Sequence, residues 1–298
     1  MLGLVNQIAI KMLPNRVWCV CVLFVFGFGV DPVNAQAIVA HRGASHDAPE
    51  NTLAAFKLAW RNGADAIEGD FYLSSDGQVI CIHDKDTERT APGQRKCLVA
   101  KTLADELRRL DVGSWKNPRF KRERIPTLAE VLATVPSGKK ILIEIKCGPE
   151  IVPALKTVLD ESDLDTSQII VISFSQEVVA AARRSLPGCK ANWLTSYQFG
   201  EDGSVSPSLN QVIQRLRDSG ATGLGTKGDR RVVDSGFVNA VRNAGFEFHV
   251  WTVNEPRDAE YFRQLGVDSI TTDRPKLIRE ELGLKHRSQS PEAALSSP

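Results

Sequence analysis

The sequence carries almost no net charge, because its 37 lysines and arginines nearly balance its 36 aspartates and glutamates. Nucleic-acid-binding proteins usually present a basic surface, so the balance gives no support for a nucleic-acid partner or a strongly anionic one. The chain also lacks a Cys-x-x-Cys motif, which argues against a zinc or thiol redox site. Its uncharged run at 17–30 has fourteen residues, fewer than the roughly 20 that a membrane-spanning helix needs.

That uncharged run has the layout of a cleaved export signal. Lys11 and Arg16 precede it, and the small-residue stretch Ala35-Gln36-Ala37 follows it. We therefore expect residues 1–37 to be a signal peptide and the mature chain to be periplasmic or extracellular, with no stable membrane span after cleavage. An uncleaved anchor is the alternative.

Four cysteines follow the predicted signal peptide, namely Cys81, Cys97, Cys147 and Cys189. An exported compartment permits disulfides. The pair Cys81 and Cys97 closes the shortest loop and is the disulfide that we expect, with free buried thiols as the alternative.

Beyond residue 38, short β-rich runs alternate with amphipathic helical stretches, a pattern typical of parallel strands joined by crossover helices. The predicted strands are 38–41, 64–72, 79–83, 141–146, 169–174, 190–194, 221–225, 247–252 and 267–271. The predicted helices are 53–62, 101–110 with 127–135, 150–161, 175–185, 208–219, 234–244, 256–265 and 275–282. Nine strands are one too many for an eight-stranded barrel.

A hairpin accounts for the extra strand. Only six residues separate the second and third predicted strands, and they include Asp76-Gly77, the strongest short hairpin signal. A parallel partner would need a crossover of a dozen or more residues. With Asp76 and Gly77 as the turn, His83 pairs with Asp70. The sequence thus predicts an α/β fold, a (β/α)8 TIM barrel over 38–285 with a β-hairpin after strand 2.

The remaining long interval is 84–140, whose glycines, prolines and tryptophan predict a short insertion over the barrel mouth that sets substrate selectivity. The small, polar tail at 286–298 is predicted to be disordered.

Polar residues collect at the carboxyl ends of the first three parallel strands, where TIM barrels carry their sites. Side chains two positions apart in a strand lie on one face, so three carboxylates are expected to converge at the mouth. The residues at these ends are His41 and Arg42, Glu68 and Asp70, and Glu144 and Lys146.

Three close carboxylates cannot all stay ionised without a cation, because like charges and burial both raise their pKa values. All-oxygen ligands favour magnesium, calcium or manganese. We predict one divalent cation, Ca²⁺ or Mg²⁺, on Glu68, Asp70 and Glu144. The alternative is that Glu68 and Glu144 form buried ion pairs with Arg42 and Lys146.

Two histidines should approach the same carboxylates from different strands. With unperturbed pKa values near 6.5, His41 and His83 suit a general acid and a general base. The other three histidines are set aside: His46 as a loop residue, His249 as a buried strand residue and His286 as a tail residue. The planar fork of an arginine and the point charge of a lysine, at Arg42 and Lys146, form an anion cradle.

Six sequence blocks in order resemble the glycerophosphodiester phosphodiesterase family. They are HRGASHDAPENTLAAF, GADAIEGDFYLSSDGQVICIHD, IPTLAEVL, ILIEIK, VWTVN and GVDSITTDRP. The resemblance implies a barrel of the phosphoinositide-phospholipase type, a divalent cation, and hydrolysis of a glycerophosphodiester to an alcohol and sn-glycerol 3-phosphate.

The resemblance also implies roles for single residues. It makes the two histidines catalytic, the three carboxylates metal ligands, and the arginine and lysine phosphate-binding. Glu50 and Asn51 match a position near the first histidine, where we expect support of the site rather than direct chemistry. Trp251 would line the substrate pocket, with plain barrel packing as the alternative. Asp273 matches the last block, or simply caps the final helix.

Two alternative functions follow from the same residues. One is a lysophospholipase D-type phosphodiesterase, which an apolar groove formed by 90–120 would favour. The other is a non-catalytic phospholipid-binding module, whose usual sign would be a lost histidine or carboxylate, and none is missing here. A small-molecule glycerophosphodiester is the predicted partner.

Overall fold

Strands and helices alternate along residues 36–284, the part of the chain that the computed structural model describes. The strands are β1 (Ala37–Ala40), β2 (Ala66–Leu73), β3 (Val79–Cys81), β4 (Lys140–Ile145), β5 (Ile169–Ser173), β6 (Lys190–Thr195), β7 (Gln198–Phe199), β8 (Val205–Ser206), β9 (Gly223–Lys227), β10 (Glu247–Trp251) and β11 (Ser269–Thr272). The helices are α1 (Leu53–Arg61), α2 (Ala104–Leu107), α3 (Leu128–Leu132), α4 (Val152–Asp160), α5 (Gln176–Ser185), α6 (Leu209–Ser219), α7 (Ser235–Asn243), α8 (Pro256–Gln264) and α9 (Pro275–Glu281).

Eight of these strands run parallel and close into a barrel, in the order β1, β2, β4, β5, β6, β9, β10 and β11. Closure is direct, since β1 pairs with β2 on one side and with β11 on the other. The predicted (β/α)8 barrel is therefore confirmed. Two details differ: α2 and α3 are much shorter than the predicted helices at 101–110 and 127–135, and the small antiparallel pair β7–β8 was not predicted.

Side chains alternate between the two faces of the barrel wall, as the pleat of a strand requires. The inward-facing apolar cluster consists of Val39, Ala66, Leu142, Ile170, Ile172 and Leu194. Their chain neighbours point outward and pack beneath the helices; among them are Ile38, Ile67, Ile141, Ile143 and Val171. Continuing the same period of two, the inward positions after Ala66 and Leu142 are occupied by charged residues near the carboxyl ends of β2 and β4.

The hairpin after β2 is present, but its predicted register is wrong by one residue. Phe71 pairs with Cys81, and Ile82 rather than His83 lies opposite Asp70, to whose carbonyl its N–H donates at 2.9 Å. The turn holds three residues instead of two. Gly77 N–H donates to the carbonyl of Ser74, and Gly77 itself takes φ of +79°, so the glycine follows a type I turn.

The segment between the hairpin and α3 folds around an apolar cluster of its own. We call residues 84–126 the insertion. The cluster joins β3 to the insertion and consists of Ile80, Ile82, Ala91, Cys97, Val99, Ala104, Leu107, Val112 and Ile125. Lys116 Nζ donates to the carbonyl of Ser45 at 2.8 Å, which places this part of the insertion against the loop that follows β1.

The expected disulfide between Cys81 and Cys97 is wrong, since all four cysteines among the described residues are free. The two thiols belong to different cores. Cys81 packs in the barrel wall, where its Sγ contacts Asn51 Oδ1 at 3.4 Å, whereas Cys97 packs in the separate cluster of the insertion. The alternative of unpaired thiols therefore holds for these residues.

The predicted signal peptide lies almost wholly outside the described residues, and the predicted tail lies entirely outside them. Within residues 36–284, no helix has the length and apolar character that crossing a membrane requires.

Candidate active site

The loop after β1 turns sharply to bring its charged residues over the barrel. Arg42 and Asn51 both adopt left-handed backbone angles, with φ of 54° and 56°, which non-glycine residues seldom do. Gly43 is required between them, since a Cβ there would lie 2.6 Å from the backbone of Ala55. This path points the N–H of Arg42 at Glu68 Oε2, 2.8 Å away.

Three carboxylates meet inside the mouth of the barrel. Glu68, Asp70 and Glu144, which we call the carboxylate trio, are all buried and each offers an oxygen within 4.8 Å of the others. Among the described residues, Oε1 of Glu68 and Oδ1 of Asp70 have no hydrogen-bond partner. Buried oxygens normally have hydrogen-bond partners, so Glu68 Oε1 is an open acceptor, while Asp70 Oδ1 has an ion-pair contact of 3.4 Å with Lys146 Nζ.

The trio repels itself electrostatically. Burial and the neighbouring charge of Asp70 raise the pKa of Glu68 to about 8, and the same two causes raise the pKa of Glu144. Burial also acts to raise the pKa of Asp70, but Arg42 and Lys146 hold it below its ordinary value. Such mutual repulsion around an open acceptor oxygen fits a hard divalent cation.

Two cations border the trio without neutralising it. Lys146 Nζ lies 2.7 Å from Glu144 Oε1 and 3.4 Å from Asp70 Oδ1, and Arg42 Nε lies 3.2 Å from Asp70 Oδ2. These contacts resemble the ion-pair alternative, but three acids face two bases. Within residues 36–284, Glu68 receives the backbone N–H of Arg42 and forms no ion pair with a lysine or arginine, so the ion pairs leave one carboxylate in excess.

The residues of the Pro-Glu-Asn motif support this arrangement from behind. Asn51 Nδ2 donates to Asp70 Oδ2 at 2.8 Å, while its Oδ1 accepts from Asp70 N–H at 3.2 Å. Glu50 Oε1 accepts from Arg42 Nη1 at 3.1 Å. Both residues therefore hold a charged neighbour by hydrogen bonds.

The first histidine is held by a carboxylate that follows β11, the strand that pairs with β1 where the barrel closes. His41 Nδ1 lies 2.7 Å from Oδ1 of Asp273, just beyond β11. Ser45 Oγ donates to the same oxygen at 2.9 Å, and Asn254 Nδ2 donates to Oδ2 at 2.6 Å. Asp273 is not the helix cap that the sequence also allowed, because the N-cap residue of α9 is Arg274.

The second histidine is held in the same way by its neighbour. His83 Nδ1 lies 2.7 Å from Asp84 Oδ1, so on both rings Nε2 is the nitrogen left for other work. Burial lowers the pKa of His83, although Asp70 opposes this. Burial also acts to lower the pKa of His41, but the bond to Asp273 and the charge of Glu68 raise it above its ordinary value.

Both rings open on one cavity of about 160 Å³ in the barrel mouth, whose lining includes Glu68, Glu144, Arg42 and Lys146. Its far wall is apolar. Trp251 packs edge to face against Phe174 with centroids 5.5 Å apart, and Phe174 is 48% exposed. Trp251 lines this cavity, and its role in substrate binding stays a prediction. His249, set aside as buried, also lines it, with Nδ1 at 2.8 Å from Ser269 Oγ.

A family model described as the glycerophosphoryl diester phosphodiesterase family matches residues 41–277. This chain belongs to that family. A glycerophosphodiester phosphodiesterase of Caldanaerobacter subterraneus is 31% identical over 258 residues, covering 81% of this chain and 95% of the relative.

Solved structures agree with the family assignment. An Oleispira antarctica phosphodiesterase in complex with the product sn-glycerol-3-phosphate has 30% identity and a TM-score of 0.74, over 84% of this chain and 97% of the other. The Agrobacterium tumefaciens glycerophosphodiester phosphodiesterase has 29% identity and a TM-score of 0.67, over 82% and 99%. The predicted family, barrel and enzyme class are thereby confirmed.

Sequence reasoning gave no supporting role to three residues that contact the candidate site. Asp273 was matched to the family's last block or taken as a helix cap, and Asp84 and Arg89 were given no role. A signal was available for Asp84, because an acid directly after a predicted catalytic histidine can bond its Nδ1. Arg89 lies in the insertion, where no periodic pattern indicates which way a side chain points.

Proposed function

We propose that this site hydrolyses glycerophosphodiesters to an alcohol and sn-glycerol 3-phosphate. The observation that carries the proposal is the convergence of two members of the carboxylate trio, two carboxylate-held imidazoles and two cations on one cavity, with the third member, Asp70, within 4.8 Å of the other two. The Oleispira antarctica phosphodiesterase, a relative of the same fold, was solved with sn-glycerol-3-phosphate, which is the product proposed here.

The trio would hold one divalent cation, and its all-oxygen donor set suits Ca²⁺ or Mg²⁺. When bound, such a cation supplies stabilisation of negative charge on the phosphoryl oxygens.

Arg42 and Lys146 bind the phosphate of the substrate beside the trio. The guanidinium is about four-fifths buried and tied to Glu50, so it presents fixed donors rather than a mobile charge. Lys146 adds a point charge from the end of β4. Preorganised charges of this kind stabilise the negative charge that develops on the non-bridging oxygens.

His41 and His83 move the protons. One ring takes a proton from the attacking water, whose oxygen forms a new bond to phosphorus. The bond from phosphorus to the head-group oxygen breaks, and the other ring gives that oxygen a proton. Each such transfer contributes about 10²- to 10⁴-fold to the rate. The aspartates on the two Nδ1 atoms keep each Nε2 pointed toward the cavity.

Turnover of glycerophosphocholine by the purified chain, with choline and glycerol 3-phosphate measured separately, tests the proposal. The protein is first treated with a chelator and then resupplied with Ca²⁺, Mg²⁺ or Mn²⁺ singly, which identifies the metal. His83→Ala should abolish turnover at an unchanged thermal unfolding midpoint. Wild-type turnover by that variant would remove His83 from the mechanism.

The lipid-directed alternative receives no comparable support. It called for an apolar groove from 90–120, but most apolar side chains of this range are buried in the insertion's own cluster or packed against it, whereas Leu98 and Leu103 lie at the surface, 41% and 49% exposed. A faster rate on micellar lysophospholipid than on glycerophosphocholine would reverse this preference.

We also propose that the enzyme acts after export, in the periplasm or outside the cell. This rests on the arrangement of Lys11, Arg16, the uncharged run and the small-residue stretch at 35–37. Sequencing the amino terminus of the protein recovered from its native compartment tests it, because cleavage near residue 37 is expected.

A further inference from the structure

An arginine of the insertion connects the two halves of the site. Arg89 is bidentate with Glu50, through Nη1 to Oε2 and Nη2 to Oε1, both at 2.7 Å. Its Nε donates to Asp84 Oδ2, also at 2.7 Å. The planar guanidinium thus donates hydrogen bonds from two of its edges, each to a different carboxylate.

Each of those carboxylates has a second contact inside the site. Glu50 Oε1 accepts from Arg42 Nη1, and Asp84 Oδ1 bonds His83 Nδ1. A continuous chain of five charged or ionisable side chains, the Arg89 chain, therefore runs from Arg42 after β1 to His83 after β3. Arg89 is the central member. It does not line the cavity between the imidazoles, but together with His83 and Lys146 it lines an open cavity of about 470 Å³ beside it.

We infer that Arg89 is a positioning residue, which sets the relative placement of the phosphate-binding Arg42 and the proton-transferring His83. This role rests on the proposed function. Arg42 and His83 belong to different loops, and the Arg89 chain ties them together from outside the cavity.

The exposure of Arg89 separates this role from a purely structural one. Its side chain is 44% exposed, so solvent screening limits what its ion pairs contribute to the free energy of unfolding, although the bidentate pairing with Glu50, which is 12% exposed, makes that contribution larger than for an isolated surface pair. Catalysis is more sensitive, since a displacement of about 1 Å at a reacting group can cost roughly 10²-fold in rate. Loss of Arg89 should consequently lower kcat far more than it lowers stability.

Arg95 offers a matched control. It lies on the same insertion, forms one ion pair with Glu106 at 3.1 Å, and is 75% exposed. The variants compared are R89A, R89K and R95A, each assayed for kcat, KM and thermal unfolding midpoint on glycerophosphocholine with the optimal metal. Free guanidinium is then added at millimolar concentration to R89A and R95A.

We expect R89A to lose about 10- to 100-fold in kcat with KM changed less than threefold, because substrate-contacting groups are all present. R89K should lie between R89A and wild type, since an ammonium can hold one carboxylate but not fork across two. Guanidinium should raise the rate of R89A and leave R95A unchanged.

A kcat for R89A within threefold of wild type, an equal loss in R95A, or no response of R89A to guanidinium would each overturn the role of Arg89. If R89A does not fold, R89K replaces it in the test. A kcat for R89K within threefold of wild type, at an unchanged thermal unfolding midpoint, would then overturn the role of Arg89. Absence of turnover by the wild-type enzyme would instead reject the proposed function, so the two failures are distinct.

Discussion

The carboxylate that holds His41 should be worth one to two orders of magnitude in rate. Asp273 accepts from His41 Nδ1 at 2.7 Å, a charge-assisted hydrogen bond of a kind worth about 1.5–3 kcal/mol. If the bond acts mainly in the transition state, where His41 bears a proton, its loss lowers the rate by about 10- to 150-fold.

The neighbours of Asp273 make its amide variant informative. Both oxygens of Asp273 are acceptors, Oδ1 from His41 and Ser45, and Oδ2 from Asn254 Nδ2. An asparagine at 273 has only one acceptor edge. Its amide nitrogen therefore lies opposite another donor, either Nδ2 of Asn254 or Nδ1–H of His41. In the second arrangement the imidazole proton moves to Nε2.

Exchanging the two side chains restores the hydrogen-bond pattern. In the double variant N254D/D273N, the new amide at 273 donates to the new carboxylate at 254 and keeps its oxygen for His41. We expect kcat/KM to fall about 10- to 150-fold in D273N and to recover partly in the exchanged pair, with the remaining deficit reporting the lost charge.

The assay is steady-state turnover of glycerophosphocholine at saturating metal, with the unfolding midpoint measured for each variant. N254D serves as the control for placing two carboxylates side by side. The reasoning is refuted if D273N stays within twofold of wild type, or if the exchanged pair is no more active than D273N alone.

Three further predictions concern metal, leaving group and acid stability. Removing metal from the enzyme should lower its thermal unfolding midpoint. Adding Ca²⁺ or Mg²⁺ at 100 times its Kd should restore about 2.7 kcal/mol of the free energy of unfolding, and E144Q should gain much less. Equal gains in both proteins would count against a cation on the trio. With a p-nitrophenyl diester, whose leaving group needs no proton, H41A or H83A, but not both, should regain most of its rate; equal impairment on both substrates would contradict an acid–base division. His249 and Lys190 lower the pKa of Glu247 to about 2, so the stability from this carboxylate is fully present above its unfolded pKa near 4.5 and is lost as pH falls through 2. Urea midpoints at pH 5 and pH 3 should therefore fall further in wild type than in E247Q, and parallel declines would disprove the link.

Much of the fold and of the candidate site follows from two rules, the two-residue alternation of side chains along a strand and the common rim formed by the carboxyl ends of parallel strands. Alternation along β2 and β4 places Glu68, Asp70 and Glu144 on the inner face, and parallel strands bring their carboxyl ends to one rim. The trio could therefore be predicted without any contact information. The same reasoning placed His41 beside it, directly after β1.

The failures have physical causes as well. Asp76-Gly77 indicates a hairpin, but it fits both a two-residue turn and a three-residue turn with the glycine last, and these differ by one residue in register. His83 reaches the cavity even so, because the chain has left the strand after Cys81. The shortest sequence interval likewise did not decide the cysteine pairing, since Cys81 and Cys97 face separate cores.

The residues that hold the catalytic side chains in place were the hardest to predict. Asp273 is 232 positions from His41 along the chain, and only closure of the barrel brings β11 beside β1. Arg89 depends on the path of an irregular segment, for which neither strand nor helix periodicity applies.

The separate apolar cluster of the insertion has an evolutionary consequence. Because its apolar side chains pack on one another and on β3, residues can be added to or removed from this segment without disturbing the wall that carries the acids. Selection for new head groups could thus act on a detachable rim while the reaction chemistry stays constant. The arginine that reaches back from this rim to Glu50 would have to survive each remodelling.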